Sequence, residues 1–417
     1  MDDAHNRIED ALKAALNTAG IGETETIAVG VSGGADSLGL VIALAKIHPV
    51  VAVSVDHGLR EQAKEEILFV CETMKKNNIV HHCLTWHSPF SKSNIQAKAR
   101  KARYALLNDW CVENGVSYLA LGHHYDDQAE TFLLRLARGS GVYGLAGMKM
   151  LAPMPIVGSD IKLFRPLLSL HKKDMESYLT SLDQKWVEDP SNGNENFERV
   201  KVRHLLETPP FMGFDTHKMV TTAARLARAA DALDYYATKI LTKNVRITPE
   251  GFALLETKGL FEAPEEVALR VLARIFRHVG GADYSPRLEK LENCYKQMQS
   301  ADFSGTTLAG CQVLAQETGL IIGREPRAAE RAAPLRQEGV WDNRFVVALD
   351  GVGRVAALGE DGWSQISRKV SDHQKENVPH AMRLGLPALW KDGNVIAQPH
   401  FSFGKGLNAE FFPAHPL

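Results

Sequence analysis

A glycine-rich turn between an apolar strand-like segment and a helical pattern is the first feature that suggests chemistry. The stretch reads TIAVGVSGGADSLGLVIALA and covers residues 26–45. Two adjacent glycines, Gly33 and Gly34, let successive backbone N–H groups turn inward, toward the positive end of the following helix. Such a turn binds phosphate, and the hydroxyls of Ser32 and Ser37 would add two donors. The alternative is an ordinary tight turn between a strand and a helix.

The loop lacks the signatures of two common phosphate-binding motifs. No lysine follows the second glycine, as G-x-x-x-x-G-K-S/T would require, and G-x-G-x-x-G is not matched either. The loop resembles instead the SGGxDS loop of the N-type ATP pyrophosphatases, the PP-loop family, whose members split ATP between the α and β phosphates and adenylate an oxygen of their substrate. This resemblance implies that ATP is bound by Ser32, Gly33, Gly34, Ala35, Asp36 and Ser37. An acid beside phosphates would also suit Mg²⁺, so Asp36 is our candidate ligand of that ion.

A second set of polar residues combines histidines with carboxylates. It lies in LGHHYDDQAETFLLRLARGSGVYGLAGM, residues 121–148. If a helix begins near His123, then Asp127 and Glu130 follow at i+4 and i+7, and all three share one face at its N-terminal end. Carboxylates in that position would gather around a cation. Two alternatives stay open, because acids also cap helix N-termini and a His/Asp set can bind a metal.

Two basic segments could meet phosphates. SKSNIQAKARKARYALL places Gln96, Arg100 and Arg103 on or near one side of a predicted helix, although a solvated basic face is the commonest reason for such a run. DPSNGNENFERVKVRHLL places Arg199 and Arg203 at i and i+4 after a turn. Two guanidiniums in register can clamp phosphate oxygens, and surface helices carry such pairs as well.

Strand-like and helix-like segments alternate through residues 24–123. Apolar runs such as TIAVGVS, VVAVSVDHG and SYLALGHH are separated by longer helical patterns. This alternation predicts an α/β domain, with a Rossmann-like parallel sheet and helices on both faces. Ligands of such a sheet bind at the carboxyl ends of its strands, where SVDHG and LALGHH place polar residues.

The chain changes character after this α/β part. Helical patterns dominate from about residue 213, short strands are indicated at 306–323, and REPRAAERAAPLRQ lacks apolar periodicity. We predict an α/β domain at 1–208, a mainly helical domain at 209–323, a linker at 324–339 and a small α+β domain at 340–417.

The overall composition is that of an ordinary globular protein. Charged residues make up 24% of the chain, the formal net charge is −2, and no apolar run is long enough to span a membrane. The five cysteines are scattered and never spaced as C-x-x-C, which argues against a disulfide framework and a cysteine-held metal. The N-terminus reads as an amphipathic helix and not as a signal peptide, so we expect a cytoplasmic protein without a membrane partner.

Seven motifs in order resemble the tRNA(Ile)-lysidine synthetase family, a branch of the PP-loop superfamily. They are SGGADS, VDHGLR, NIQAKARKARY, GHHYDDQAET, RLARGSGVYGLAGM, FRPLL and DPSN with its Phe and Arg tail. The motifs cover residues 24–206 densely, and VPHAMRLGLPALWKDGNVIAQP is similar to the last domain of that family. One position departs from the pattern: the family carries Arg-Asn-x-x-Arg after the DxSN turn, and here Val200 replaces the Asn.

The resemblance implies an enzyme that uses ATP and Mg²⁺ to join free L-lysine to tRNA(Ile) with the anticodon CAU. ATP would adenylate the C2 oxygen of the wobble cytidine, and the lysine amine would then displace AMP to give lysidine. Because the amine is an ammonium ion at neutral pH, it needs a carboxylate partner, for which Asp127 and Glu130 are the candidates. His123 would lie near the AMP oxygens. The expected catalytic set is Asp36, His123, Asp127, Glu130 and Arg199.

Phosphates of the tRNA or the adenylate are the expected partners of the other arginines. The resemblance implies this role for Arg100, Arg103 and Arg203, and it makes both domains after residue 208 tRNA-binding. In EEVALRVLARIFRH, three more arginines recur at i, i+4 and i+7 beside an apolar stripe, namely Arg270, Arg274 and Arg277. Any exposed amphipathic helix can show the same pattern. Further candidates are Arg225, Arg228 and Arg383.

Three other classes of protein compete with this interpretation. A tRNA cytidine thiolase would share the loop but needs C-x-x-C pairs, and an amide-forming ligase such as an NAD synthetase would lack GHHYDDQAET and the basic C-terminal domains. A non-catalytic RNA-binding protein of the same fold would not need Asp36, Asp127 and Glu130. The sequence leaves open whether two copies form a homodimer, how isoleucine and methionine tRNAs are told apart, and which carboxylate takes the proton.

Overall fold

The three-dimensional structure is a computed structural model of the chain. The residues it describes are 2–56, 62–86, 95–156, 158–188, 198–208, 210–211, 214–282, 284–413, 415 and 417. They fold into two compact units, Met1–Ala230 and Asp231–Leu417. Parts of three motifs, namely HGLR, Asn94 and DPSNGNENF, lie outside the described residues. No helix in the described ranges is both long enough and apolar enough to cross a membrane.

The centre of unit 1 is a sheet of short, mainly apolar strands. Its described strands are β1 (Ile27–Gly30), β2 (Val50–Asp56), β3 (His81–Thr85), β4 (Tyr118–Ala120), β5 (Leu151–Pro153) and β6 (Lys162–Phe164). They are ordered β3-β2-β1-β4-β6-β5, with β5 antiparallel to β6 and the other pairs parallel. The predicted α/β class is confirmed.

Helices cover both faces of this sheet. The described helices of unit 1 are α1 (Asp2–Ala19), α2 (Ala35–Ala45), α3 (Gln62–Lys76), α4 (Ile95–Glu113), α5 (Tyr125–Leu136), α6 (Val142–Leu145), α7 (Lys172–Ser181), α8 (Glu198–Glu207) and the start of α9 (Thr216–Asn244). On one face, Ile27 and Val29 pack in a core with α1, α2 and α7, while Ala28 packs on the other face with Leu107 and Trp110 of α4. Successive strand residues point to opposite faces, so a strand covered on both sides is apolar throughout.

The strand order places a crevice at the C-terminal ends of β1 and β4. From β1 the sheet continues outward to β2 and β3, and β4 lies on the other side of β1. Ligands of open α/β sheets bind where the order reverses in this way. The loop 31–34 after β1 and the loop 121–124 after β4 therefore border the expected ligand site.

Unit 2 combines helices with antiparallel sheets. Its described helices after α9 are α10 (Thr257–Phe261), α11 (Glu265–Gly280), α12 (Leu288–Met298), α13 (Pro326–Glu330), α14 (Gly359–Ile366), α15 (Asp372–Asn377) and α16 (His380–Leu384). Its described strands are β7 (Val245–Ile247), β8 (Ala253–Leu255), β9 (Gly305–Leu308), β10 (Cys311–Gln316), β11 (Gly319–Arg324), β12 (Gly339–Trp341), β13 (Phe345–Leu349), β14 (Arg354–Ala357), β15 (Pro387–Lys391), β16 (Asn394–Gln398), β17 (Phe403–Gly404) and β18 (Leu407–Phe411). They pair in the orders β7-β8-β11-β10-β9, β12-β13-β18 and β14-β15-β16-β17. A helical region followed by C-terminal antiparallel sheets agrees with the predicted fold class.

The segment predicted as a linker, 324–339, contains ordered elements. Helix α13 lies within it, and Ala329 of that helix belongs to a core cluster with Trp341 and Val355. Leu335 forms an isolated antiparallel bridge with Val355. The four-part division of the chain stays a prediction, and the boundary between the two compact units falls at 230/231.

A buried ion-pair network holds the residues around this segment. Asp342 accepts hydrogen bonds from Arg324 Nη2 at 2.6 Å and from Arg344 Nε at 2.8 Å, and Arg324 Nη1 donates to the Gly280 carbonyl at 2.6 Å. Arg344 is itself buried and donates to the Gly385 carbonyl. Charged side chains are buried almost only when they are paired. Because the partners lie on different elements, the network connects the end of α11 to β11 and to the β12–β13 turn.

Candidate active site

The loop after β1 has the backbone conformation of a phosphate-binding turn. Gly33 has a φ of +89°, which residues with a side chain rarely adopt. Its carbonyl accepts a hydrogen bond from the Val187 N–H at 2.9 Å, and a Cβ at Gly33 would meet Val187 Cγ2 at 3.3 Å. Gly34 is the N-cap of α2 and provides no side chain to cap its first amides. Those amides suit the oxygens of a phosphate.

The two loop serines have different environments. The hydroxyl of Ser37 donates to the Gly34 carbonyl at 3.1 Å and accepts from the Ser32 N–H at 3.1 Å, so it closes the turn from inside. Ser32 is exposed, and its hydroxyl oxygen lies 3.2 Å from that of Ser37. Of the two hydroxyls, that of Ser32 is the better placed to reach a ligand.

Sequence reasoning missed a glycine that lets the second loop approach the first. Gly122 follows β4, and a Cβ on it would lie 3.0 Å from the Asp36 carbonyl carbon and 3.1 Å from the Ser37 nitrogen. A side chain there would push the loop after β4 away from the start of α2. The signal was present in LGHH, because a glycine directly after a strand can mark a close approach of two backbones.

Helix α5 begins at Tyr125, within two residues of the predicted start. Its N-cap is His124, whose Nδ1 accepts from the Asp127 N–H at 3.4 Å, and Asp127 Oδ2 accepts from the His124 N–H at 3.0 Å. This reciprocal pair is a capping box. The capping alternative that the sequence left open therefore applies to one carboxylate oxygen of Asp127.

The ring of His124 also lies between the two loops. The ring is almost fully buried, with Nε2 3.8 Å from Asp36 Oδ2 and 3.5 Å from Asp127 Oδ2. Asp126 Oδ2 lies 3.5 Å from Nδ1, and Asp126 is held from behind by His171, whose Nδ1 is 2.9 Å from Asp126 Oδ1. An imidazole among three carboxylates thus brings Asp36 and Asp127 together at the mouth of the phosphate loop.

The carboxyl group of Asp36 is suited to a cation. Burial raises its pKa, His124 opposes that shift and Asp127 adds to it. Its Oδ1 is buried and has no hydrogen-bond partner among the described residues, so it would gain from a positive ligand. The same ranges contain no group of three or more His, Cys, Asp or Glu side chains arranged to hold a metal ion.

His123 is a neutral imidazole at physiological pH. Burial lowers its pKa to about 4, Asp127 opposes that shift, and Arg165, Arg100 and Arg199 add to it. Its Nδ1 is buried without a hydrogen-bond partner among the described residues. A neutral imidazole can still donate one hydrogen bond and accept another. Arg165 is a cation near this site that sequence reasoning did not choose, although the FRPLL motif contains it.

Glu130 is the partner of both arginines on α8. Its Oε1 accepts from Arg203 Nε at 2.6 Å, and its Oε2 lies 3.8 Å from Arg199 Nε. Burial raises the pKa of Glu130 against the opposing effect of Arg203. Burial lowers the pKa of Arg203, but the hydrogen bond and the charge of Glu130, together with the carboxylates of Asp127 and Asp36, outweigh burial and raise it. The i, i+4 spacing predicted that the two arginines lie on one face of a helix. In the structure, that face of α8 contacts Glu130. Val200, where the family carries Asn, is buried.

Known proteins are similar to this chain in two ways: a family model matches its first half, and relatives align with about nine tenths of it. A family model described as a PP-loop domain matches residues 4–208. Among solved structures, the U34-tRNA thiolase NcsA from Methanococcus maripaludis aligns with a TM-score of 0.46 and 18% identity, covering 55% of this chain and 81% of that chain. A tRNA(Ile)-lysidine synthase from Ruegeria pomeroyi is 34% identical over 92% of this chain and 90% of that protein. One from Wolbachia pipientis wMel is also 34% identical, with the same two coverages. The chain belongs to the tRNA(Ile)-lysidine synthase family.

Membership of the tRNA(Ile)-lysidine synthase family helps to choose among the classes of protein that the sequence alone left open. The PP-loop domain implies the use of ATP. Relatives that share about nine tenths of the chain favour a lysidine synthase over a thiolase or an amide-forming ligase.

Two further arginines of the lysidine synthase motifs lie on α4. Arg103 is half-buried, and burial lowers its pKa while Tyr104 opposes the shift. Arg100 is exposed, and its Nη2 donates to Tyr104 Oη at 3.1 Å while its guanidinium lies 5.1 Å from the centre of that ring. Their contact with phosphate stays a prediction. The side chain of Gln96 lies outside the described residues.

The arginines predicted to form a basic stripe on α11 lie in unit 2 and have partners there. These arginines are Arg270, Arg274 and Arg277, and each uses its guanidinium group to contact a partner. Their partners are Asp234 Oδ1, Thr238 Oγ1 and His415 Nδ1, at 2.6, 2.8 and 3.0 Å respectively. All three side chains are only partly exposed. Their role in RNA binding stays a prediction, in which each arginine would share its charge between an internal partner and a phosphate.

Proposed function

We propose that this chain ligates free L-lysine to C2 of the wobble cytidine of tRNA(Ile) with the anticodon CAU, forming lysidine with release of AMP and pyrophosphate. The observation that carries the proposal is the position of two carboxylates, Asp36 and Asp127, at 3.8 and 3.5 Å from His124 beside a loop suited to phosphate. Such a site can hold ATP and an amine side by side. The curated lysidine synthases that share nearly the whole chain support the same reaction.

The first step converts a poor leaving group into a good one. The C2 oxygen of the cytidine attacks the α phosphorus of ATP, the bond from that phosphorus to the bridging oxygen breaks, and pyrophosphate leaves. We assign the first amides of α2 and the hydroxyl of Ser32 to the pyrophosphate, because donors fixed in place stabilise the charge that develops there. We assign neutral His123 to an oxygen of the AMP group.

Mg²⁺ fits this site through Asp36. The carboxylate has a buried oxygen without a hydrogen-bond partner among the described residues, and Mg²⁺ in nucleotide sites commonly takes one or two carboxylates together with phosphate oxygens and water. When bound, the ion would neutralise charge on the departing pyrophosphate.

The second step needs a base for the lysine amine. An ammonium ion has no lone pair, so it must lose a proton before its nitrogen attacks C2. We assign this proton to Asp127, because Glu130 is held in an ion pair by Arg203 at 2.6 Å, whereas the hydrogen bond that Asp127 accepts at 3.0 Å comes from the neutral backbone N–H of His124. The nitrogen then bonds to C2, the C2–O bond breaks, and AMP leaves with the oxygen. Glu130 positions Arg203 and Arg199 for adenylate or tRNA phosphates.

The partners and the compartment follow from the reaction. ATP, free L-lysine and tRNA(Ile) meet in the cytoplasm, which is the location we propose. Additional phosphate contacts are proposed for Arg100, Arg103, Arg270, Arg274 and Arg277.

The test incubates the purified chain with ATP, Mg²⁺ and radiolabelled lysine, together with one of two transcripts: tRNA(Ile) with CAU or elongator tRNA(Met). The proposal expects ATP-dependent label in the isoleucine transcript only, and none when Asp36→Asn replaces the wild type. Label in neither transcript would overturn the assigned reaction. Equal label in both would overturn the assigned substrate.

A further inference from the structure

The part of α9 that belongs to unit 2 exposes two neighbouring aromatic rings. Tyr235 and Tyr236 are 58% and 56% exposed, and their ring centroids lie 5.4 Å apart in an edge-to-face arrangement. A large ring that stays in water gives up the free energy it would gain by burial. Two such rings side by side offer a flat, apolar contact surface to a ligand.

Lysines accompany the two rings. Lys239 Nζ is 4.4 Å from the centroid of the Tyr235 ring and 6.0 Å from that of Tyr236, which is within the range of cation–π contacts. The hydrogen bond between Lys239 and Tyr235 raises the pKa of the lysine, which therefore stays charged. Lys243 is also exposed and lies one turn further along the helix, on the same side as Lys239. We call these four residues the Tyr–Lys patch.

The surroundings of the Tyr–Lys patch carry an excess of positive charge. An open groove of about 520 Å³ runs along this face of α9, lined by Asp231, Asp234, Tyr235, Thr238, Lys239, Thr242 and Lys243. Arg270 donates to Asp234 at 2.6 Å and Arg274 donates to Thr238 at 2.8 Å, so each arginine contacts a residue that lines the groove. The two lysines and two aspartates of the lining, counted together with these two arginines, carry a formal charge of +2.

We propose that the Tyr–Lys patch binds an unpaired stretch of the tRNA substrate, with a base stacked on the tyrosine rings and phosphates at Lys239 and Lys243. Single-stranded RNA is bound in this way by aromatic platforms within cationic surfaces. The proposal rests on the proposed function, because it takes tRNA as the substrate. It adds a tRNA contact in unit 2 to the site proposed in unit 1.

A second copy of this chain fits the Tyr–Lys patch less well. In a two-fold dimer the patch would meet itself, which would set lysines against lysines. The cores of protein–protein interfaces are also depleted in lysine. RNA carries the opposite charge and presents a π-face on every base, so it complements both parts of the patch.

The test compares the affinity of three variants for tRNA(Ile) at several KCl concentrations. They are Tyr235→Ala/Tyr236→Ala, Lys239→Ala/Lys243→Ala and, as a matched control, Tyr284→Ala, which removes a tyrosine that is 84% exposed elsewhere in unit 2. Loss of stacking should weaken binding about 10-fold without changing its salt dependence, because no phosphate contact is lost. Loss of the lysines should weaken binding and lower the slope of log K against the logarithm of the salt concentration by about 1 to 2. The control should bind like the wild type.

Activity measurements separate this proposal from the proposed function. In a wild type that forms lysidine, the tyrosine variant should raise KM for tRNA about 10-fold and change kcat less, with a thermal unfolding midpoint equal to that of the control. Unchanged tRNA affinity in the tyrosine and lysine variants would overturn the patch, and so would an equal loss in Tyr284→Ala. A wild type that binds tRNA through the patch but forms no lysidine would overturn the proposed function alone.

Discussion

At the scale of single residues, His124 has two roles in one ring. Its Nδ1 caps α5 by accepting from the Asp127 N–H, and its Nε2 faces the carboxylates of Asp36 and Asp127. The ring is buried, so neither contact is weakened much by water. His124 therefore couples the start of a helix to the position of the proposed Mg²⁺ ligand.

Two substitutions separate these roles of His124. His124→Asn supplies a side-chain oxygen that can cap α5 in place of Nδ1 but removes the nitrogen that faces Asp36, whereas His124→Ala removes both the cap and that nitrogen. We predict that the free energy of unfolding falls by about 1 kcal/mol in the alanine variant and changes little in the asparagine variant. Both should lose about 10-fold or more in kcat, because groups that orient a metal ligand affect activity to that extent. Urea unfolding and lysine incorporation measure the two effects, and full activity in His124→Asn would contradict the contact with Asp36.

The lowered pKa of His123 makes stability depend on pH. In the folded chain this pKa is about 4, whereas the ordinary value is 6.5. Between these values the unfolded state binds the extra proton, so the stability that His123 contributes is complete above pH 6.5 and is lost as the pH falls toward 4. We predict that His123→Gln makes the free energy of unfolding fall less over this range in urea titrations. Equal slopes in the two proteins would contradict the lowered pKa.

Local sequence patterns predicted part of this site, whereas contacts between residues far apart in the sequence were missed. Gly33 could be predicted because a positive φ requires glycine, and Asp127 because acids favour helix N-termini. The approach of His124 to Asp36 could not be predicted, because it depends on the neighbouring positions of β1 and β4 in the sheet. The close contact of the two loops at Gly122 could not be predicted for the same reason.

At the scale of elements, two ion pairs of different exposure join α5 and its following turn to α8. Glu130 and Arg203 form a pair whose carboxylate side chain is 3% exposed, whereas the side chains of Arg138 and Glu198 are 66% and 69% exposed. Water screens the second pair and hardly reaches the carboxylate of the first. The Glu130 pair should therefore contribute most of the electrostatic attachment of α8.

Double-mutant cycles on the two pairs test this difference. We predict a coupling free energy of about 1–3 kcal/mol between Glu130→Gln and Arg203→Met, measured by urea unfolding. The matched cycle of Glu198→Gln and Arg138→Met should give less than about 1 kcal/mol, as exposed pairs do. Equal couplings in both cycles would show that burial of Glu130 does not strengthen its pair.

Helical periodicity predicted the register of α8 but not its partner. The spacing of Arg199 and Arg203 puts them on one face of any helix, which the structure bears out. Which side chain that face meets depends on the packing of α8 against α5, and the spacing of the two arginines predicted either phosphate or a solvated surface as their surroundings. Similarly, periodicity on α11 predicted a shared face for its arginines and could not indicate that α9 supplies partners for two of them.

At the scale of the whole molecule, the two units differ in how well the sequence predicted them. In unit 1, strand patterns alternate with longer helix patterns, and this order of segments predicts the α/β class. In unit 2, short strands pair with partners far along the chain, such as β8 with β11 and β13 with β18. The segment 324–339 lacks apolar periodicity, and it is held by the buried pair of Arg324 with Asp342 at its start and by single apolar contacts, such as that of Ala329 with a core cluster.

The Asp342 network gives unit 2 a point of high sensitivity. Asp342→Ala would leave the buried guanidinium of Arg344 and that of Arg324 without their carboxylate. We predict a loss of about 3–5 kcal/mol in the free energy of unfolding, because an unpaired buried charge is strongly destabilising. The control is Asp350→Ala, which removes an exposed carboxylate from the same region. Thermal and urea unfolding measure the effect, and equal midpoints for the two variants would contradict it.

The proposed reaction changes one position of one nucleotide, and nucleoside mass spectrometry detects that change directly. The isoleucine transcript is incubated with the chain, ATP, Mg²⁺ and lysine, digested to nucleosides and compared with the same transcript incubated without ATP. We predict that the wobble cytidine gains the mass of lysine minus one water, and that every other cytidine keeps its mass. An unchanged wobble cytidine, or lysine attached at another position, would contradict the account.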